Sequence, residues 1–265
     1  MTRTTMRLAL GLMLLWMTGL MACESDVTSS QLNKFPAEDT FSYEVAREAR
    51  THFQLESVNG KIELTGSPDS NAIVVSGVRR VESHSVADAT ARLEGLTVEI
   101  DSTDTAVNVR TEQPVDTEGR NYIVNYSITL PDNFQITIGN ANGNITVRTV
   151  TNGVVVSCAN GTVVGEGIEG NTIMNVANGS IDTAVTLPAG AGVALDVANG
   201  YIHLEIPRET SAQFTATVAN GQIGVDNLTL SNMVTTPTKV TGTLGDGDGS
   251  IVLGVANGDI TVEGF

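Results

Sequence analysis

The sequence predicts an all-β chain: a β-solenoid of stacked two-strand coils, about 18–21 residues each, preceded by an N-terminal β-module carrying one short helix. Three observations predict it. An Asn-Gly phrase returns through residues 134–265. Apolar residues alternate with polar ones on both sides of each copy. The composition is thin in bulk, with aromatics at 4% and 27 glycines among 265 residues, which suits repetitive β-structure better than a bulky core.

The chain begins with Arg3 and Arg7, followed by an apolar run from Leu8 to Ala22. That run is short for a membrane span of about 20 residues and reads as a signal sequence. It closes on Leu20-Met21-Ala22-Cys23, where the apolar stretch stops and Glu24-Ser25-Asp26 begins. This closing phrase resembles a bacterial lipobox. The resemblance implies cleavage before Cys23 and acylation of that cysteine, and several acyl chains hold a protein on a bilayer far better than one. Residues 1–22 are therefore read as a lipoprotein signal peptide and Cys23 as the lipidation site. Glu24 after the cysteine implies the outer membrane in an organism that has two. Residues 23–40 read as a flexible tether.

Residues 41–130 read as the N-terminal β-module. Phe41–Val45, Thr51–Val58, Lys61–Leu64 and Ala72–Val78 have strand composition. Val86, Ala89, Leu93 and Leu96 then fall at helical spacing, with Ser85 and Asp88 as a capping pair and Gly95 as a stop. Strands resume at Leu96–Ile100 and Ala106–Arg110. Residues 113–121 read as a loop. Tyr122, Val124, Tyr126, Ile128 and Leu130 share one strand face.

Residues 131–265 read as the solenoid. The structural turns are Asn142-Gly143, Asn160-Gly161, Asn178-Gly179, Asn199-Gly200, Asn220-Gly221 and Asn257-Gly258, with an upstream copy at Asn59-Gly60. Three residues after each Asn the position is always apolar: Ile62, Ile145, Val163, Ile181, Ile202, Ile223 and Ile260. Asn and Gly both tolerate positive φ, which a tight corner requires. The steps between these asparagines are 18, 18, 21 and 21 residues, then 37 from Asn220 to Asn257. Pro131, Asn152-Gly153, Pro188 and Asp248-Gly249 mark the opposite corner. The extra length of the 37-residue step falls between Asp226 and Gly247, as an irregular coil or as a loop with strand pieces such as Lys239–Leu244. Serial hairpins, each closed by its own Asn-Gly turn, compete with the solenoid; matching small residues at fixed positions favour the solenoid.

These phrases, with Ser57-Val58-Asn59-Gly60-Lys61-Ile62-Glu63-Leu64, resemble the bacterial "putative adhesin" domain, related to the toastrack group of envelope proteins. The resemblance covers residues 45–265. It implies a β-solenoid-like fold outside a membrane and brings no catalytic residues with it.

Charge narrows the function classes. Thirty acids against fourteen bases give a net −16, which becomes −18 once Arg3 and Arg7 leave with the signal peptide. Such a chain lacks the clustered cations that nucleic acid requires. His52, His84 and His203 show no metal-ligand spacing, and His203 should point outward between Ile202 and Leu204. Asp246-Gly247-Asp248 resembles the opening of a calcium loop. The twelfth position is Asn257 rather than Glu, however, and the repeat register already explains Asp248-Gly249 as a turn. Glu205 and Asp226, six residues beyond their asparagines, are expected to neighbour each other on an outer face with Asp182 nearby. Cys158 falls in a column of valines and reads as a small buried hydrophobe. No catalytic residue, metal site or cofactor is assigned.

The reading is a non-enzymatic, lipid-anchored cell-envelope protein presenting a solenoid for adhesion or ligand binding. An envelope-stress or scaffold role is the alternative, and a carbohydrate-active enzyme is a third class. Its partners are the membrane through the lipid and an envelope protein or surface ligand. Cys23→Ser should move the protein from the membrane to the soluble fraction; persistent membrane association in fractionation would count against the lipobox.

Overall fold

The computed structural model describes residues 33–265; the segment read as a signal peptide, Cys23 and the first part of the segment read as a tether lie outside them. Among the described residues the fold is all-β with one short helix, and eighteen strands form one hydrogen-bonded system.

The repeats set the architecture. Strands β1 (Phe35–Ala46), β2 (His52–Asn59), β3 (Ile62–Ser67) and β4 (Ala72–Ser83) open the chain. Helix α1 (Val86–Leu93) follows, then β5 (Thr97–Ser102), β6 (Ala106–Glu112) and β7 (Asn121–Pro131). The solenoid continues with β8 (Gln135–Asn142), β9 (Ile145–Val150), β10 (Val154–Glu169), β11 (Thr172–Thr186) and β12 (Gly192–Ile206). The last strands are β13 (Ala212–Asn220), β14 (Ile223–Asp226), β15 (Leu230–Thr236), β16 (Lys239–Leu244), β17 (Gly249–Asn257) and β18 (Ile260–Gly264).

Strands β10, β11 and β12 each run through an Asn-Gly corner and pair in parallel, with Asn160 opposite Asn178 and Asn178 opposite Asn199. Parallel pairing between successive copies decides for the solenoid. A hairpin at each Asn-Gly would pair its own two arms antiparallel.

Two sheets face each other across one core. In the first, the order is β5, β6, β2, β8, β10, β11, β12, β17, β13, β16, β15. In the second it is β1, β4, β7, β3, β9, β10, β11, β12, β18, β14. The inward columns are buried: Ile145, Val163, Ile181, Ile202 and Ile260 in one, and Leu55, Ile138, Val156, Met174, Leu195 and Leu253 in another. Each such side chain contributes roughly 1.5–3 kcal/mol by leaving water.

The 37-residue step has a topological cause. The last coil, β17 and β18, lies between the coil of β12 and the coil of β13 and β14. The intervening residues form the β15–β16 hairpin, and β16 pairs antiparallel with the far edge of β13. Thus Lys239–Leu244 is a strand, within a hairpin that ends the first sheet.

The N-terminal module is continuous with the solenoid. Asn59 pairs with Asn142, so β2 and β3 are a coil of the same stack. Strand β1 starts at Phe35, inside the segment 23–40 read as tether. It pairs along its whole length with β4, and Glu38 and Asp39 form ion pairs with Arg80 and Arg79. Helix α1 is capped as its sequence requires: the Ser85 hydroxyl accepts from the Asp88 amide at 3.2 Å. Arg120 then grips the Asp88 carboxylate with two donors, at 2.6 and 3.0 Å, tying the helix to the start of β7. That bond, assisted by one from Ser83, holds the Asp88 carboxyl well below the usual carboxylate range.

The corner glycines are held by sterics as well as by conformation. Gly200 has φ +144°, and a Cβ built on it would collide with the carbonyl oxygen of Gly179 on the neighbouring coil. Gly190, at an opposite corner, has φ +78° but open space around it. Gly200→Ala should therefore cost about 3 kcal/mol or more, from strain plus overpacking, and Gly190→Ala only about 1–2 kcal/mol from strain. Urea unfolding of both variants checks this; equal losses would contradict the close approach of coils at the Asn-Gly corner.

Candidate functional site

Two exposed features rise from the repeat geometry: a charge-poor outer face on the first sheet and a polar cluster on the second. Outward positions on the first sheet alternate with the core column, so they recur in register from coil to coil. One residue before the corner stands Ala141, Ala159, Ala177, Ala198, Ala256 and Ala219, in spatial order. Three before it stand Gly139, Ser157, Asn175 and Asp196. Five before it stand Val155, Ile173, Ala194 and Val252, of which Ile173 is 42% and Val252 50% exposed. The small side chains leave an open furrow of about 710 Å³ running across the coils, from Glu56 to Asp196 and Ala198. A second hollow of about 370 Å³ adjoins the apolar row at Ile173 and Val252. The apolar row was not recognised in the sequence. Its signal was a break in alternation, where Val155-Val156, Ile173-Met174 and Val252-Leu253 place apolar residues on both faces.

The asparagines of the corner form one ladder. Asn142 donates through Nδ2 to Oδ1 of Asn59 at 2.8 Å, and Asn160 to Asn142 at 2.8 Å. Asn178 donates to Asn160 and Asn199 to Asn178, both at 3.0 Å. Asn257 donates to Asn199 and Asn220 to Asn257, both at 2.9 Å. Asn59 closes the row by donating to the Tyr122 carbonyl at 3.0 Å. These amides are occupied with one another.

On the second sheet the outward residues four and six places beyond each Asn form the polar cluster. His203 sits opposite Asp182, its Nδ1 3.1 Å from Asp182 Oδ1. Glu205 and Asp226 are not direct neighbours, contrary to the sequence expectation. Glu263 lies between them, in register with both, because the last coil is interleaved. The sequence signal for Glu263 was its repeat position, six beyond Asn257. These acids lie on an open sheet face. His52 and His84 belong to the N-terminal strands and loop, where they contact Thr51 and Ser83. Asp248 accepts a hydrogen bond from the Ser211 hydroxyl at 3.0 Å, and the same hydroxyl accepts from the Asp246 and Asp248 amides. Ser211 thus organises this turn from within the protein.

No protein-family model matches the chain, and no curated protein matches it. Among solved structures, it resembles a "putative cell adhesion protein" of Clostridium sporogenes, with 10% identity over 86% of this chain and 100% of that one, at a TM-score of 0.47. It also resembles a "putative adhesin" of Bacteroides fragilis, with 11% identity over 86% and 97% of the two chains and a TM-score of 0.29. A third likeness is to a "putative lipid binding protein" of Parabacteroides distasonis, with 8% identity over 86% and 97% and a TM-score of 0.23.

Cys158 borders the furrow but is 5% exposed, in register with Asn140 and Val176. Burial pushes its thiol pKa up, and its Sγ lies 3.6 Å from the Gly143 carbonyl, so it stays a protonated thiol rather than a nucleophile. The native Cys158 thiol should react with a thiol reagent about two orders of magnitude slower than the urea-unfolded one. Cys158→Val should change stability by less than about 1.5 kcal/mol. Fast labelling of the folded protein would overturn its placement.

Proposed function

We propose that this is a lipid-anchored, non-enzymatic envelope protein that binds an envelope protein or surface ligand through the flat outer face of its first sheet. The observation that carries the reading is the in-register outward row of exposed Ile173 and Val252 with half-buried Val155 and Ala194, beside the alanine column. An outward strand face in water normally carries charged and long polar side chains. Apart from Glu56, Asn175 and Asp196, this face carries small and apolar ones across several consecutive coils, in a chain of net charge −16. A rigid, wide surface with little side-chain entropy to lose is suited to docking. The lipid on Cys23 would keep that surface at the membrane, and the acidity of the rest of the chain would hold the domain off anionic head groups.

Ile173→Glu and Ala177→Arg test the face. Both residues are exposed, so each variant should keep its stability within about 0.5 kcal/mol of the parent. Each should lose the partner that the parent protein retains from envelope extracts. Undiminished retention by both variants would move the binding surface elsewhere, and retention of nothing by the parent would remove the binding reading.

A further inference from the structure

We infer that His203, Glu205 and Glu263 form a binding site for one divalent transition-metal ion of the zinc type. The site is separate from the docking face, on the opposite sheet. One ring nitrogen of His203 and one carboxylate oxygen each from Glu205 and Glu263 lie within 4.8 Å of one another. His203 and Glu205 alternate on one strand, so both project from the same face. Glu263 comes from the next coil of the stack, in register with Glu205.

A second observation concerns charge. Glu205, Glu263 and Asp226 stand in register on three consecutive coils. Like charges directly opposite one another on neighbouring strands oppose the pairing that brings them together. In the same outward column, Glu166 is matched by Arg148 on the adjoining coil at 2.8 Å. Among the described residues, none of the three stacked acids has an ion pair with a lysine or arginine; Glu263 accepts only from the Asn227 amide at 3.2 Å. A bound dication supplies the charge that the protein's own side chains do not.

A third observation concerns the imidazole. Asp182 meets Nδ1 of His203, an arrangement that orients a ligating ring and leaves Nε2 for a metal. The residues in register around the cluster are small: Ala184 faces Glu205, Thr261 faces His203, and Gly224 faces Thr261. They leave room for the glutamates to turn. Zinc–ligand bonds of about 2.0–2.2 Å place ligand atoms about 3.3–3.6 Å apart, a closure within reach of two glutamate side chains. One imidazole with two carboxylates favours Zn²⁺ or Ni²⁺ over Ca²⁺, which takes six to eight oxygens.

The test is equilibrium dialysis of the full chain in detergent micelles against Zn²⁺, with Co²⁺ as a spectroscopic reporter. The expected result is one Zn²⁺ per chain, and visible Co²⁺ absorption bands that Zn²⁺ abolishes. His203→Gln and Glu263→Gln should each weaken Zn²⁺ binding by about 100-fold or more. Asp182→Asn should weaken it by about 10–100-fold, as an orienting partner does. Asp246→Asn, an acid outside the cluster, should leave it unchanged. Substoichiometric Zn²⁺, binding unaltered by His203→Gln, or equal uptake of Ca²⁺ would each overturn the assignment. All the altered side chains are outward-facing, and a thermal melt of each variant without metal verifies that it folds.

Discussion

Close approach of the backbone at one corner is the constraint on which the rest of the molecule depends. At the Asn-Gly column, each glycine faces the carbonyl of its neighbour with no space for a Cβ, and each asparagine hydrogen-bonds to the next. An exposed amide–amide bond contributes little alone, since a typical protein hydrogen bond nets about 0.5–1.5 kcal/mol. Repeated in one direction, however, the bonds fix register. A slip of one residue would break the ladder, drive side chains into backbone, and turn every inward Ile and Val outward. Register at the corner therefore decides which residues form the core, and through it which form the two outer faces.

Much of this was legible because the constraint is local. The Asn-Gly pair, the Ile three residues on, and the 18- and 21-residue steps are all set within one coil, so they survive as a repeated phrase. Asn59-Gly60 carried the same phrase and occupies the same column, although 83 residues separate it from Asn142. Helix α1 was legible for a similar reason: Ser85 and Asp88 act within one turn. What the phrase does not carry is the order of coils. A coil of correct length can stack beside any other, so the repeat alone leaves open where Asn257 stands relative to Asn199 and Asn220. The antiparallel edges were equally hidden. Strand β1 follows a polar stretch and buries little; its place comes from pairing with β4 and from Arg79 and Arg80, more than 30 residues away.

The outer faces follow the same division. The position of His203 beside Ile202 and Leu204 made its outward direction readable, whereas its partner Asp182 depended on which coil adjoins it. The apolar row at Ile173 and Val252 left only a weak trace, two adjacent apolar residues in a strand. Such a pair is also what a strand buried on both faces would show. Only the stacked structure shows that one member of each pair lies in the core and the other faces water.

Interleaving of the last coil connects the ends of the stack to its surface chemistry. A parallel stack can add coils without limit unless its ends are closed. Here antiparallel strands close three of the four sheet ends: β4 and β1 on the second sheet and β5 on the first at one end, β16 and β15 on the first sheet at the other, where β14 is left as the edge of the second sheet. At the second end, the chain passes through the coil of β13 and β14, turns into the hairpin, and returns to fill the place beside β12. Asn220 consequently bonds to Asn257 and not to Asn199. The terminal repeat becomes internal, protected by coils on both sides, and a hairpin takes the exposed edge of the first sheet. The same insertion puts Glu263 between Glu205 and Asp226. Without it, the acidic column would contain two carboxylates; with it, three stand in register beside an oriented histidine. The topology that closes the stack is thus also what creates its densest concentration of ligating atoms.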